Sequence, residues 1–144
     1  MRVSLIVTTA ALLLTAGQFS LPSAQTPAAN PPASAPNVER GRYLVEDVAM
    51  CAECHSPRDV HGAIVPGERF MGAPIPFLPP WPNDWATRAP RNKGLPGYTD
   101  DLAIRLLTQG AIGRDGVPLK RPMPAYRMSR QDAVDVIAYL RSLP

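Results

Sequence analysis

The side chains best equipped for chemistry stand together. Cys51-Ala-Glu-Cys54-His55 holds both cysteines of the chain and one of its two histidines. Thiols three positions apart lie one helical turn apart, a spacing at which both can add to the two vinyl groups of one porphyrin. The adjoining imidazole is then placed under the iron as its proximal ligand. Rival chemistries fit less well. A dithiol redox centre of this spacing sits in a βαβ setting, and no strand alternation is visible. A zinc site wants four ligands, and the whole chain offers two Cys and two His. A structural disulfide ignores His55 and leaves the long loops unexplained. The C-x-x-C-H pattern reads as covalent attachment of one haem c to Cys51 and Cys54, with His55 on the iron.

Such a site needs elements to hold it, and three segments are predicted to be helical. Asn37 can cap a first helix, in which Gly41, Leu44, Val45 and Val48 recur at helical spacing and which ends near Cys51. Thr99 caps a second: Asp100 and Asp101 suit its first turn, Leu102, Leu106 and Leu107 form its apolar side, and Gly110 stops it. Ser129-Arg-Gln-Asp132 opens the third as a box-like cap, and Val134, Ile137, Ala138 and Leu140 to Leu143 supply its buried stripe. Between the first two helices, Pro57 to Pro96 carries nine prolines. Ordinary loops run to about 4–6 residues, so a loop of this length needs something to wrap around. The expected fold is all-α: three core helices, with long loops wrapped around a covalently attached haem.

The chain has 144 residues, enough for one domain. Met1-Arg2, the apolar run Val3 to Ala16 and small residues around Ala24 follow the order of a secretory signal peptide, residues 1–24. The apolar run, 14 residues, is shorter than the ~20 of a membrane span, so an uncleaved anchor is the lesser reading. Residues 25–36, Pro/Ala-rich and uncharged, read as a disordered or extended linker before a domain at 37–144. Export to the periplasm agrees with haem attachment outside the cytoplasm, and no stable membrane span is expected after cleavage. Without Arg2 the charge is 14 basic against 12 acidic groups, with no basic block interleaved with aromatics. Nucleic-acid binding is therefore not expected.

With these residues in view, the sequence resembles the small monohaem class I cytochromes c over nearly all of Asn37 to Pro144. Gly41-Arg-Tyr-Leu44 is similar to the family's first helix, where a glycine lets the last helix cross closely and an aromatic packs beside it. Val136-Ile-Ala-Tyr-Leu-Arg-Ser-Leu-Pro144 is similar to that last helix, with Tyr139 as the crossing aromatic. Pro122-Met-Pro-Ala-Tyr126 resembles the segment bearing the methionine ligand. The run from Gly94-Leu-Pro-Gly-Tyr to Met123 is similar to cytochromes serving bacterial dehydrogenases. The resemblance implies a one-electron carrier rather than an enzyme. Its partners would be redox proteins, a periplasmic dehydrogenase on one side and a terminal oxidase or other acceptor on the other.

Met123 is the expected sixth ligand, because flanking prolines stiffen its backbone and hold the thioether with little ordering cost. Met128 precedes the cap Ser129, where it is explained as a staple against Ala133. Met50 and Met71 read as wall or core residues, and His61 as part of a solvated turn. Trp81, Trp85, Arg91 and Asn92 are candidates for the haem propionates or the pocket wall. The proline whose carbonyl the family uses to orient the proximal imidazole is Pro66 or Pro74. With His55 and Met123 both on the iron, no position is open for substrate. A haem sensor or peroxidase-like protein would instead leave the distal face open, and a dehydrogenase subunit would work within a complex. Arg114, Lys120, Arg121, Arg127 and Arg130 cluster around Met123, whereas Glu46, Asp47, Glu53 and Asp59 flank the attachment motif. That asymmetry predicts a basic docking rim.

Overall fold

The structure, a computed structural model, describes residues 34–144. The expected signal peptide, and the linker up to residue 33, lie outside the described residues. Helix α1 spans Val38–Tyr43 and runs directly into a π-helical turn, Leu44–Val48. Helix α2, Ala52–His55, is a single turn. Two short strands follow, β1 (Ala73–Pro74) and β2 (Arg88–Ala89), then α3 (Asp100–Thr108) and α4 (Arg130–Ser142). Among the described residues the core is drawn mainly from the π-turn, α3 and α4, with Ala52, Phe70 and Leu95 added from α2 and the loops, and the segments between the helices are mostly loop.

The three expected caps are in place. Asn37 Oδ1 accepts from the Arg40 amide at 3.0 Å, Thr99 Oγ1 from Leu102 at 3.3 Å, and Ser129 Oγ from Asp132 at 3.1 Å. Each satisfies an amide that the first helical turn leaves without a partner. Gly110 follows α3 at φ 91°.

The principal helix contact is α1 on α4. It depends on Gly41, where an added Cβ would strike the Asp135 carbonyl oxygen and lie 2.9 Å from Tyr139 Cβ. Above this crossing Val45, Phe70, Ala133, Val136 and Leu140 are almost fully buried. Asp135, also buried, accepts from the Asn37 amide at 2.8 Å and from Gln131 Nε2 at 2.9 Å, pinning the start of α1 to α4.

Four details differ from expectation. The π-turn widens the helix just where Val48 would have continued the apolar face, and Val48 is 52% exposed. Tyr43 is half exposed, and the aromatic beside the crossing is Phe70, edge-on to Tyr139 with ring centroids 6.4 Å apart. On α4 the buried face is Ala133, Val136, Ile137, Tyr139 and Leu140, with Val134 and Ala138 only half-buried. Finally, an antiparallel ladder pairs Ala73 with Ala89 and Pro74 with Arg88. The ladder is too short to show as alternation, yet it sets up the site.

Candidate haem-binding site

A cavity of about 520 Å³ opens between the α1–α2 junction, the β2 loop, α3 and the segment before α4. That is within the usual range for a cofactor site, about 300–1,000 Å³. Its walls are mainly apolar. Cys51, Cys54 and His55 line one part of it, and Met123 and Tyr126 line it as well.

Helix α2 presents the two cysteines and the histidine over a single turn. The Cys51 amide donates to the Val45 carbonyl at 3.0 Å and the His55 amide to that of Cys51 at 3.0 Å, tying the motif to the π-turn before it. Burial pushes the Cys51 thiol up to about 11. A redox dithiol or a zinc-binding thiolate requires the opposite shift.

His55 is buried, and its Nδ1 donates to the Pro90 carbonyl oxygen at 2.6 Å. Burial moves its pKa below the ordinary value, with the Pro90 hydrogen bond acting against that shift, and so favours the uncharged ring. With the proton on Nδ1, the free lone pair is on Nε2, the arrangement of an imidazole ready to bind iron.

The acceptor is neither Pro66 nor Pro74, and this corrects the sequence expectation. Pro74 is occupied as the rung opposite Arg88. Continuing the ladder one step places Gly72 opposite Pro90. The Gly72 amide donates to the His55 carbonyl at 2.7 Å, and an added Cβ there would sit 2.7 Å from the Arg91 nitrogen and 2.9 Å from the Pro90 carbonyl carbon. Gly72 also has φ 84°, a region that L side chains rarely adopt. The ladder and this glycine together bring a backbone carbonyl to the imidazole.

Met123 lies on the cavity between Pro122 and Pro124. Met128 also reaches the cavity, but it packs against the buried core cluster, and its amide donates to the Leu107 carbonyl at 3.0 Å. Met50 lines the cavity at a positive φ of 47°, a wall position, whereas Met71 is 38% exposed and is not a core residue. His61 is exposed in a turn: its amide donates to Asp59 Oδ1 at 2.9 Å.

Of the four propionate candidates, Arg91 and Asn92 line the cavity. Asn92 Oδ1 is buried without a hydrogen-bond partner. Trp81 is exposed, and Trp85 packs edge-on against Phe77 at 6.5 Å. Arg88 and Lys120 add two further cations to the cavity wall. Arg88 carried no sequence signal, because only the ladder turns it towards the cavity. These groups suit a largely apolar ring bearing two carboxylates. Among the described residues no three His, Cys, Asp or Glu side chains converge as a metal site of their own. An iron held by a porphyrin and completed by His55 and a thioether fits the donors present.

A helical fold that presents a C-x-x-C-H turn to an apolar cavity defines a c-type haem protein. Residues 38–144 match the cytochrome c family, and the chain belongs to it. It is similar to a diheme cytochrome c-type protein of Cereibacter sphaeroides, 36% identical over 117 residues, 76% of this chain and 36% of that protein. It is also similar to the fructose dehydrogenase cytochrome subunit of Gluconobacter japonicus, 32% identical over 109 residues, 73% of this chain and 22% of that subunit. The chain therefore spans only about a third or less of the length of these relatives. Membership of the family implies haem c and a part in electron transfer. Among the described residues, no helix is long and apolar enough to cross a membrane.

Proposed function

We propose that this chain is a periplasmic single-electron carrier with one haem c, bound to Cys51 and Cys54 and ligated by His55 and Met123. The observation that carries this reading is the His55 Nδ1–Pro90 bond, which leaves Nε2 free to take an iron, in a cavity that Met123 also lines. One attachment motif in the sequence supports one haem, although one relative is named as diheme.

When bound, the group supplies an iron couple that takes up and releases one electron. The protein's part is positional. Pro90 holds the His55 ring and raises its basicity, and the Met123 thioether favours the ferrous state and raises the potential. The apolar walls would exclude water from a bound group, and Arg88, Arg91 and Lys120, which line the cavity, would offset its carboxylate charge. With His55 and Met123 both holding the group, no position would be left for a substrate, and the electron would pass to a protein partner.

A dehydrogenase donor is supported by the likeness to the fructose dehydrogenase cytochrome subunit. The charge asymmetry supports acidic partners. Arg114, Lys120, Arg121, Arg127 and Arg130 are all exposed, and among the described residues none forms an ion pair. Three of the four acids near the motif are paired instead, Glu46 with Arg69, Glu53 with Arg58 and Asp47 with Arg42 at 3.9 Å, while Asp59 accepts from the His61 and Ala63 amides of its own turn.

The test is the visible spectrum of the oxidised, haem-loaded protein, which should show the weak sulfur-to-iron band near the red end. Met123→Ala should abolish that band, lower the potential and admit imidazole or cyanide, while Met128→Ala keeps the band. The reverse pattern would overturn the ligand assignment.

A further inference from the structure

The segment that carries Met123 is pinned at both flanks by backbone bonds. The Ala86 amide donates to the Arg121 carbonyl at 2.7 Å, and the Met128 amide donates to the Leu107 carbonyl at 3.0 Å. Neither bond reaches the side of the cavity that bears the cysteines. Tyr126 does. Its hydroxyl donates to the Ala49 carbonyl at 3.2 Å, joining residues 77 apart in sequence. Ala49 lies just past the π-turn and two residues before Cys51, where helix-end carbonyls need partners from outside the helix. The neighbouring carbonyls of Leu44 and Val45 are taken by the amides of Ala49 and Cys51. The Tyr126 ring lines the cavity and packs against the core cluster.

We propose that Tyr126 is the positioning residue that straps the Met123 segment to the attachment element and so sets how firmly the thioether stays in place. The inference rests on Met123 ligation. Tyr126 touches the carbonyl of Ala49, not the reacting atoms, and acts through the segment it holds. Its ring fills the wall, while its hydroxyl fixes the distance across the cavity. Losing the hydroxyl alone should let the segment swing away more often without emptying the wall.

The experiment uses the haem-loaded full chain and imidazole as the probe. Tyr126→Phe, which keeps the ring, should bind imidazole about two- to tenfold more tightly, because one hydrogen bond no longer holds the closed state. Its red-end sulfur band should weaken but persist. Met123→Ala reports on the underlying reading: imidazole affinity no higher than in the unmodified protein means that Met123 is not the ligand. If Met123→Ala binds far more tightly and Tyr126→Phe does not differ from the unmodified protein, the strap is refuted and ligation stands. Tyr139→Phe, which loses a bond to Glu46 away from the cavity, should lower stability and leave imidazole affinity unchanged. A gain in Tyr139→Phe equal to that in Tyr126→Phe would assign the effect to general destabilisation and overturn the proposal.

Discussion

Replacing Gly72 by alanine tests how the fold aims its histidine. The new Cβ would lie 2.7 Å from the Arg91 nitrogen, 2.9 Å from the Pro90 carbonyl carbon and 3.0 Å from the Ala89 oxygen. All three are backbone atoms, so no side-chain rotation relieves the contact. Forcing an L residue into the left-handed region costs about 1–2 kcal/mol, and overpacking adds about 1–3 kcal/mol. The chain can yield by opening the β1–β2 ladder, which moves the Pro90 carbonyl away from His55 Nδ1. The imidazole then loses the acceptor that raises its basicity and donates less to ferric iron. The haem-loaded variant should therefore be less stable by about 2–4 kcal/mol, which is within the sum of those two costs, and should have a more positive potential. Denaturant unfolding measures the first effect and potentiometric titration the second. A variant with unchanged stability and potential would refute the idea that Gly72 and the ladder deliver Pro90. Lost stability with an unchanged potential would detach the ladder from the histidine.

Gly41→Ala should separate α1 from α4. Overpacking against a helix backbone costs about 3 kcal/mol, and about 1 kcal/mol returns as helix propensity, so thermal unfolding should show a net loss near 2 kcal/mol. Burial alone would raise the Glu46 pKa, but the hydrogen bonds from Arg69 and Tyr139 and the Arg69 charge overcome it and hold the carboxyl below its ordinary range. Its contribution is thus present above the ordinary carboxylate pKa and lost as pH falls through the depressed value. Glu46→Gln should flatten that part of the acid unfolding curve, costing about 1 kcal/mol at pH 7, since Arg69 is largely solvated. Cys51→Ala with Cys54→Ala should leave a largely unstructured chain, read by circular dichroism, and a cooperative native-like melt would show that the helices suffice alone. If the basic rim docks the partner, electron transfer with a native redox partner should slow as salt rises. Reversing Arg121 and Arg127, exposed and outside the cavity lining, to Glu should slow it roughly tenfold at low salt with no change in the spectrum, and a stopped-flow rate indifferent to both changes would remove the docking rim.

What was readable in advance was local. The C-x-x-C-H pattern is visible because thioether attachment and proximal ligation both depend on neighbours within one turn. The caps at Asn37, Thr99 and Ser129 are visible for the same reason: a side chain three residues away satisfies an orphan amide. Pro90 was hidden because its functional atom is a backbone carbonyl, which any residue supplies. Its place comes from a ladder of two pairs, too short for a period to register. Phe70 was hidden by distance. It reaches Tyr139 only once its amide donates to buried Ser56 Oγ at 3.0 Å and folds the loop back. Val48 misled because a π-turn shifts the helical phase by one residue, and propensity does not announce such a turn.

The two faces of the cavity are built by different means, and the difference follows from the chemistry each must do. Cys51, Cys54 and His55 come from one helical turn and its cap, so the backbone fixes their relative positions. The single adjustable feature, the rotation of the His55 ring, is locked from behind by Pro90. The opposite face has no covalent link. Its thioether sits on an irregular segment, residues 109–129, between α3 and α4, where chain entropy works against any one position. Prolines on either side of Met123 remove part of that freedom. Backbone bonds at Arg121 and Met128 hold the flanks, and the Tyr126 hydroxyl spans the cavity to Ala49. Under the proposed ligation, a thioether held this way would keep its place in both oxidation states with little rearrangement. An electron carrier needs that constancy, whereas a site that exchanges ligands would be better served by a looser strap.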